Sequence, residues 1–82
     1  MKAVRYTGDA IANLRRYGSV SARVRKALVE YAENPAAHAN NVTRLVGSEA
    51  SRMRIGDFRA IFVETEDEIT VTKIGPRGSV YD

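Results

Sequence analysis

Residues 51–63 read SRMRIGDFRAIFV and decide the fold. Apolar side chains alternate with arginines through residues 52–55, and a period of two is typical of a β-strand with one buried face. Gly56-Asp57 then predicts a tight turn between two strands. The apolar run at residues 58–63 predicts the central strand of a sheet. This stretch therefore predicts an antiparallel hairpin at the centre of the molecule.

The chain after this hairpin predicts one more strand. Residues 64–68 are mostly acidic and predict a hairpin loop, and the β-branched residues 69–74 predict the third strand. Gly75-Pro76 ends that strand, and residues 77–82 form a short tail. The C-terminal half is therefore predicted to be a three-stranded antiparallel meander.

The chain before the hairpin predicts a short strand and two helices. Residues 2–7 alternate loosely and predict the strand. Apolar side chains at helical spacing predict a first helix that ends at Gly18. A second helix, capped by Ser19 or Ser21, is predicted to end at Asn34-Pro35. With almost no linker between them, the two helices are expected to form a helical hairpin.

The predicted order of elements indicates one α+β domain over residues 1–82, with the helical hairpin on one face of the sheet. Residues 36–50 contain few large apolar groups and predict an irregular connection, anchored by Leu45 and Val46. A chain of 82 residues has no room for a second domain.

Composition narrows the classes of function. Thirteen Lys and Arg against ten Asp and Glu give a net charge of +3, which is weak support for a nucleic-acid partner. The absence of cysteine excludes disulfides, thiolate zinc sites and cysteine nucleophiles. No apolar run approaches the length of a membrane helix, so we expect no membrane partner and a cytoplasmic location.

The alternation also predicts a basic sheet face. One helical hairpin covers only one face, and Met53 and Ile55 are the better candidates for it. Arg52 and Arg54 then lie on the open face, and Arg59 joins them across the turn. Guanidinium groups bind phosphate with two hydrogen bonds and stay charged.

Two residues of the tail are expected to reach the same surface. Arg77 adds another guanidinium, and the ring of Tyr81 can stack on an unpaired base. The five side chains together predict a patch for a nucleic-acid phosphate. Spacing alone equally fits ordinary solvent-facing residues of a strand, because alternation fixes a face and not a purpose.

Two stretches resemble the RelE/ParE superfamily of toxin–antitoxin toxins. They are RMRIGDFRAIF at residues 52–62 and IGPRGSVY at residues 74–81. The family pattern is a basic strand, Gly-Asp-Tyr/Phe-Arg, an apolar strand, an acidic hairpin and Gly-x-Arg before Val-Tyr. The helical hairpin ending in Glu33-Asn34-Pro35 is also similar. The resemblance implies the RelE-like fold over nearly the whole chain.

The superfamily contains two activities. RelE-like members cut mRNA in the ribosomal A site, whereas ParE-like members poison DNA gyrase. The site residues of the nuclease branch correspond here to Arg52, Arg54, Arg59, Arg77 and Tyr81. The resemblance therefore implies a ribosome-dependent, metal-independent mRNA endonuclease without a cofactor, whose partners are the ribosome, mRNA and a cognate antitoxin. A gyrase inhibitor and an inactive binding module on the same fold remain alternatives.

One departure from the family concerns the general base. Relatives often carry lysines at the positions of Arg52 and Arg54, and arginine effectively cannot lose its proton. The base would then be Tyr81, Asp57 or a group of the ribosome.

Further basic residues are candidates for contacts with the RNA backbone. Most of them make the helical hairpin basic, which equally fits a solubilising surface. The candidates are Arg15, Arg16, Arg23, Lys26 and Lys73.

Overall fold

The computed structural model describes residues 1–80, in which two α-helices and a 3-10 helix accompany five strands. No helix in this part of the chain is long and apolar enough to span a membrane. The strands and helices, in chain order, are β1 (Ala3–Tyr6), α1 (Gly8–Arg16), α2 (Gly18–Glu33), the 3-10 helix (Pro35–Asn41), β2 (Val42–Arg44), β3 (Ala50–Ile55), β4 (Phe58–Glu64) and β5 (Glu68–Pro76).

The five strands form one sheet in the order β1-β5-β4-β3-β2. β1 runs parallel to β5, and every other pair is antiparallel. The predicted α+β class, the meander and the central position of residues 58–63 are confirmed. The N-terminal strand joins the same sheet through its pairing with β5, so the first and last strands are neighbours.

The core lies between the helices and one face of the sheet. Leu28 of α2 is fully buried, as are Met53, Phe62 and Ile69 of the strands. Burying a side chain of this size contributes about 1.5–3 kcal/mol relative to exposure. Ile55 is also buried, so the face predicted to be covered by the helices is the covered one.

The junction between the helices differs from the prediction. α1 ends before Gly18, which is already the first residue of α2, and Tyr17 forms the corner with φ −108° and ψ 48°. Neither Ser19 nor Ser21 caps α2; the Ser21 hydroxyl instead donates to the Gly18 carbonyl. The Tyr17 ring packs edge-on against Phe58, with 5.2 Å between ring centroids. At the start of α2, where a serine cap was predicted, the structure therefore has a ring contact between Tyr17 and Phe58.

The connection predicted to be irregular holds the 3-10 helix and β2. β2 pairs with β3, which adds a fourth strand to the antiparallel meander. Val46 is 99% exposed and does not anchor the connection, while Leu45 is half-buried and its amide donates to the Ala50 carbonyl. A strand of three residues carries too little alternation to be detected, and β2 becomes visible only through its hydrogen bonds to β3.

Candidate functional site

β3 and β4 place three arginines on the sheet face that the helices leave uncovered. Arg54 lies directly opposite Arg59, and Arg52 lies opposite Ile61. Residues directly opposite each other in an antiparallel pair share a face. Arg54 is exposed, and Arg52 and Arg59 are half-buried. The three arginines thus lie on the face where the alternation predicts them.

A small cavity brings these arginines together with polar residues from two other elements. Its volume is about 120 Å³. The 3-10 helix contributes two carboxamides, β2 a hydroxyl and the two central strands the guanidiniums. The lining residues are Asn40, Asn41, Thr43, Arg52, Arg54 and Arg59. The lining is therefore entirely polar, and three of its members carry a permanent positive charge.

Two of the guanidiniums are oriented by neutral oxygens. Arg54 Nη2 donates to Asn41 Oδ1 at 3.3 Å. Arg59 Nη1 donates to the carbonyls of Gly56 and Phe58, each at 3.0 Å. Within residues 1–80, neither guanidinium pairs with a carboxylate. Their positive charge is therefore fixed in place and uncompensated, which suits an anionic ligand.

The turn at Gly56-Asp57, between Arg54 and Arg59, contacts a residue of α2. Gly56 has φ 59°, in the left-handed region that favours glycine. Arg23 of α2 donates to the Ile55 carbonyl at 3.4 Å, and a Cβ placed on Gly56 would lie 1.6 Å from Arg23 Nη2. Glycine therefore permits both the turn and the approach of Arg23 to it.

The tail after β5 folds back over the face that carries the arginines. The amide of Arg77 donates to the Asp57 carbonyl at 2.7 Å. Val80 is buried, and a Cβ on Gly75 would lie 2.3 Å from its Cγ2 atom. Gly75 is opposite Arg59 in the register of β4 and β5. The tail thus passes beside the cavity.

The other residues predicted for this face are Arg77, Lys73 and Tyr81, and the two that the structure describes do not share one location. The side chain of Arg77 is exposed and does not line the cavity. Lys73 is exposed and lies opposite Ile61, which is itself opposite Arg52, so Lys73 shares the face at a distance of two strands. Tyr81 lies outside the described residues.

The basic residues predicted on the helices lie on the other side of the sheet and do not line the cavity. The Arg16 guanidinium stacks 5.5 Å from the centroid of the Tyr17 ring, and Arg23 contacts the turn. Arg15 and Lys26 are exposed on α1 and α2. The structure therefore separates these residues from the arginine-lined cavity.

Sequence reasoning missed Asn40, Asn41 and Thr43 as members of the site. The two asparagines precede Val42–Arg44, and their place beside Arg54 depends on the pairing of that strand with β3. The sequence offers only two adjacent carboxamides before a short β-branched segment, which is too weak a signal to place them.

The opposite end of β4 carries a compensated ionic cluster. Glu64 accepts hydrogen bonds from Lys2 and from the Tyr31 hydroxyl. Burial favours a higher pKa for Glu64, but these hydrogen bonds and the charge of Lys2 outweigh it and lower the pKa. Burial, together with the hydrogen bond to Glu64 and the charge of that carboxylate, raises the pKa of Tyr31 to about 12.

A larger open groove of about 480 Å³ adjoins this cluster. Its lining mixes acidic side chains such as Glu49 and Glu66 with the cations Lys2 and Arg44. Because charges of both signs line it, this groove is a poorer site for a polyanion than the smaller cavity.

Comparison with known proteins finds matches among solved structures. No protein-family model matches the chain, and no curated protein matches it. Among solved structures, YafQ from E. coli strain BL21(DE3) superposes with a TM-score of 0.76 at 12% identity, covering 100% of both chains.

Two toxin–antitoxin structures give similar values. A chain of the archaeal RelE–RelB complex from Pyrococcus horikoshii OT3 has a TM-score of 0.76 at 21% identity, over 94% of this chain and 96% of that one. A chain of the intact E. coli RelBE toxin–antitoxin complex has a TM-score of 0.73 at 21% identity, over 93% and 96%. The resemblance drawn from the sequence is thus confirmed at the level of the fold, which is that of the RelE-like toxins.

Proposed function

We propose that this chain is the toxin of a type II toxin–antitoxin system and cuts mRNA on translating ribosomes in the cytoplasm. The observation that carries the proposal is the convergence of Arg52, Arg54 and Arg59 on one cavity. Three guanidiniums from β3 and β4 are suited to bind a phosphodiester, and neutral oxygens orient two of these guanidiniums. The RelE-like fold is compatible with this activity.

The proposed reaction is attack of a ribose 2′-OH on the adjacent phosphorus. A bond forms between the 2′-oxygen and phosphorus, and the bond from phosphorus to the 5′-oxygen of the next nucleotide breaks. The 2′-OH gives its proton to a base, and the leaving 5′-oxygen receives one from an acid. The products are a 2′,3′-cyclic phosphate and a 5′-OH, so no water or cofactor is consumed.

The arginines stabilise the charge of the transition state in this scheme. Negative charge builds on the phosphorane oxygens, and donors already aimed at it contribute more than donors that must reorient. Arg54 and Arg59 supply such donors, and Arg52 adds charge beside them. Arg77, which does not itself line the cavity, supplies further charge at the leaving oxygen from beside it. Tyr81 stacks on a base or orients the scissile nucleotide through its hydroxyl.

The general base lies outside the described cavity. Its lining holds only asparagine, threonine and arginine, none of which takes up a proton near neutral pH. The candidates remain Tyr81, Asp57 and a group of the ribosome. A ribosome that orients the mRNA also supplies much of the rate by positioning alone.

The same lining favours a second candidate function. A polar, cationic cavity without a base suits a module that binds nucleic acid and does not cut it. This reading shares the phosphate-binding arginines with the first and differs in the chemistry that follows binding.

We also propose a cognate antitoxin as the partner that restrains the toxin. Such a partner would lay an extended or helical segment on the surface and block the cavity or displace the tail after β5. The tail's close approach to Gly75 gives that segment a defined contact to replace.

Inducing the chain in growing bacteria and mapping mRNA ends tests the proposal. We expect cuts in frame with translated codons, and none when translation is blocked. Intact mRNA with accumulated DNA breaks would support the gyrase alternative. The absence of cuts, breaks and any effect on growth would support the binding module.

Variants of the tail test the assignment of the site. We expect Arg77→Ala and Tyr81→Phe each to lower single-turnover cleavage by more than about tenfold without unfolding the protein, since each removes a transition-state or positioning contact. Rates like those of the wild type in both variants would remove these two residues from the site.

A further inference from the structure

Asn40 and Asn41 form one side of the arginine-lined cavity, here called the carboxamide wall. They end the 3-10 helix, immediately before β2. Asn41 Oδ1 accepts the hydrogen bond from Arg54. Asn40 is exposed, and its carboxamide has no hydrogen-bond partner within residues 1–80. One carboxamide is thus tied to a guanidinium, and the other is available to a ligand.

The hydrogen-bonding chemistry of the wall differs from that of the arginines. A guanidinium only donates hydrogen bonds and a phosphate oxygen only accepts them, so the arginines alone satisfy a phosphate. A carboxamide both donates and accepts. It therefore complements a group that also does both, such as the edge of a nucleobase, and asparagine pairs in this way with adenine.

The hydrogen bond between Arg54 and Asn41 links these two kinds of chemistry. It uses one of the two lone pairs of Asn41 Oδ1 and leaves the amide N–H groups to donate. Thr43 adds a hydroxyl to the same lining. A ligand whose phosphate contacts the arginines thus meets hydrogen-bond donors and acceptors in the lining of the same cavity, which a bare phosphate would leave unused.

We propose that the carboxamide wall reads the base of the nucleotide whose phosphate lies on the arginines, and so determines which nucleotide the chain prefers. The ligand class is a single-stranded RNA nucleotide with an unpaired base, since only an unpaired base exposes its edges to side chains. The inference rests on the proposed function, to which it adds a determinant of specificity.

Binding of small ligands, followed by NMR of the full chain, tests the inference without any cleavage. The probes are inorganic phosphate and the four nucleoside 3′-monophosphates. We expect all five to shift the guanidinium signals of Arg54 and Arg59, and only the nucleotides to shift the side-chain amide signals of Asn40 and Asn41. Dissociation constants for the best and worst base should differ by about fivefold, the lower range for one base contact.

Three variants locate that preference. Asn40→Ala and Asn41→Ala should each bring the four nucleotides to within about twofold of one another, because they remove the base contact. Asn34→Ala is the matched control, an exposed asparagine just before the same 3-10 helix and outside the cavity. It should keep the wild-type preference.

Several outcomes would overturn the inference. In the wild type, these outcomes are equal affinities for the four nucleotides, side-chain amide signals of Asn40 and Asn41 that do not shift, or failure of every probe to bind. In the variants, the outcome is a base preference that persists in both Asn40→Ala and Asn41→Ala. Failure of the nuclease proposal looks different, because mRNA would stay uncut on ribosomes while the base preference and its loss in the variants were still observed.

Discussion

At one end of β4, Arg59 lies beside Arg54 with neutral oxygens as their partners, whereas at the other end Glu64 lies between Lys2 and Tyr31. At the first end, neutral oxygens leave the positive charge of the guanidiniums uncompensated. The second neutralises its charge within the fold. The difference shows that one short strand can hold an internally paired cluster at one end and unpaired cations at the other, and only the unpaired cations suit a polyanion, since charges paired internally contribute little to binding one.

The largest expected effect comes from removing a guanidinium at the cationic end. Arg59→Ala should lower ribosome-dependent cleavage about 100-fold or more, the usual cost of losing one oriented donor to a developing anion. Thermal unfolding should change little, because the hydrogen bonds of this side chain to residues 1–80 go to the nearby carbonyls of Gly56 and Phe58. Arg5→Ala at the far edge of the sheet is the control. Unchanged cleavage in Arg59→Ala would show that the unpaired charge at this end of β4 does not serve the proposed reaction.

The next effect tests the turn that holds the cationic end together. Gly56→Ala forces a side chain into φ 59° and displaces Arg23, so we expect a loss of about 1–2 kcal/mol in the free energy of unfolding. The melting temperature should fall by roughly 4–8 °C for each kcal/mol. In Gly8→Ala, where a Cβ would meet no atom within 4 Å and the backbone is helical, stability should not fall. Equal melting temperatures for both variants would contradict this account of the turn.

A smaller effect, dependent on pH, belongs to the compensated end. Because the pKa of Glu64 is lower in the folded chain, its ionised form stabilises the fold above the unfolded pKa, and this stabilisation is lost as pH falls through the folded pKa. Glu64→Gln should therefore cost on the order of 1 kcal/mol at neutral pH, with the difference from wild type shrinking below about pH 5. Urea unfolding across that range measures it, with the exposed Glu66→Gln as control. A difference that stays constant with pH would refute the assignment.

The smallest expected effect concerns the ion pair of Arg5 and Glu68 on the sheet surface. The Arg5 side chain is 68% exposed, and exposed pairs contribute little. Arg5→Ala should change the free energy of unfolding by less than about 0.5 kcal/mol, and added salt should reduce even that. If Arg5→Ala lowered the free energy of unfolding as much as Glu64→Gln does, the greater exposure of the Arg5–Glu68 pair would not explain a difference between Glu68 and Glu64.

Local pattern was enough to predict the arginine face. Met53 is buried and Arg54 exposed because the pleat alternates side chains between faces, and this needs no knowledge of the rest of the chain. The turn at Gly56 followed from the same local signal. The fold and the three central arginines of the site were therefore accessible from the sequence.

The missing parts depend on contacts between distant residues. β2 has three residues and is specified by its pairing with β3, and Asn41 enters the site only because that pairing brings it to Arg54. The corner at Tyr17 is packed against Phe58, far along the chain, and no local cap announces it. Periodicity reports which face a residue occupies, whereas it carries no information on which segments become neighbours.

The position of β5 between β1 and β4 has a consequence for synthesis. β1 is the first of the five strands to be translated, and within residues 1–80 it pairs with β5, the last of them. β1 therefore remains unpaired until most of this domain has been synthesised. Pairings between such distant segments form late, because the intervening chain must first be ordered. A partly synthesised chain that lacks β5 therefore lacks both the neighbour of β1 and the finished sheet.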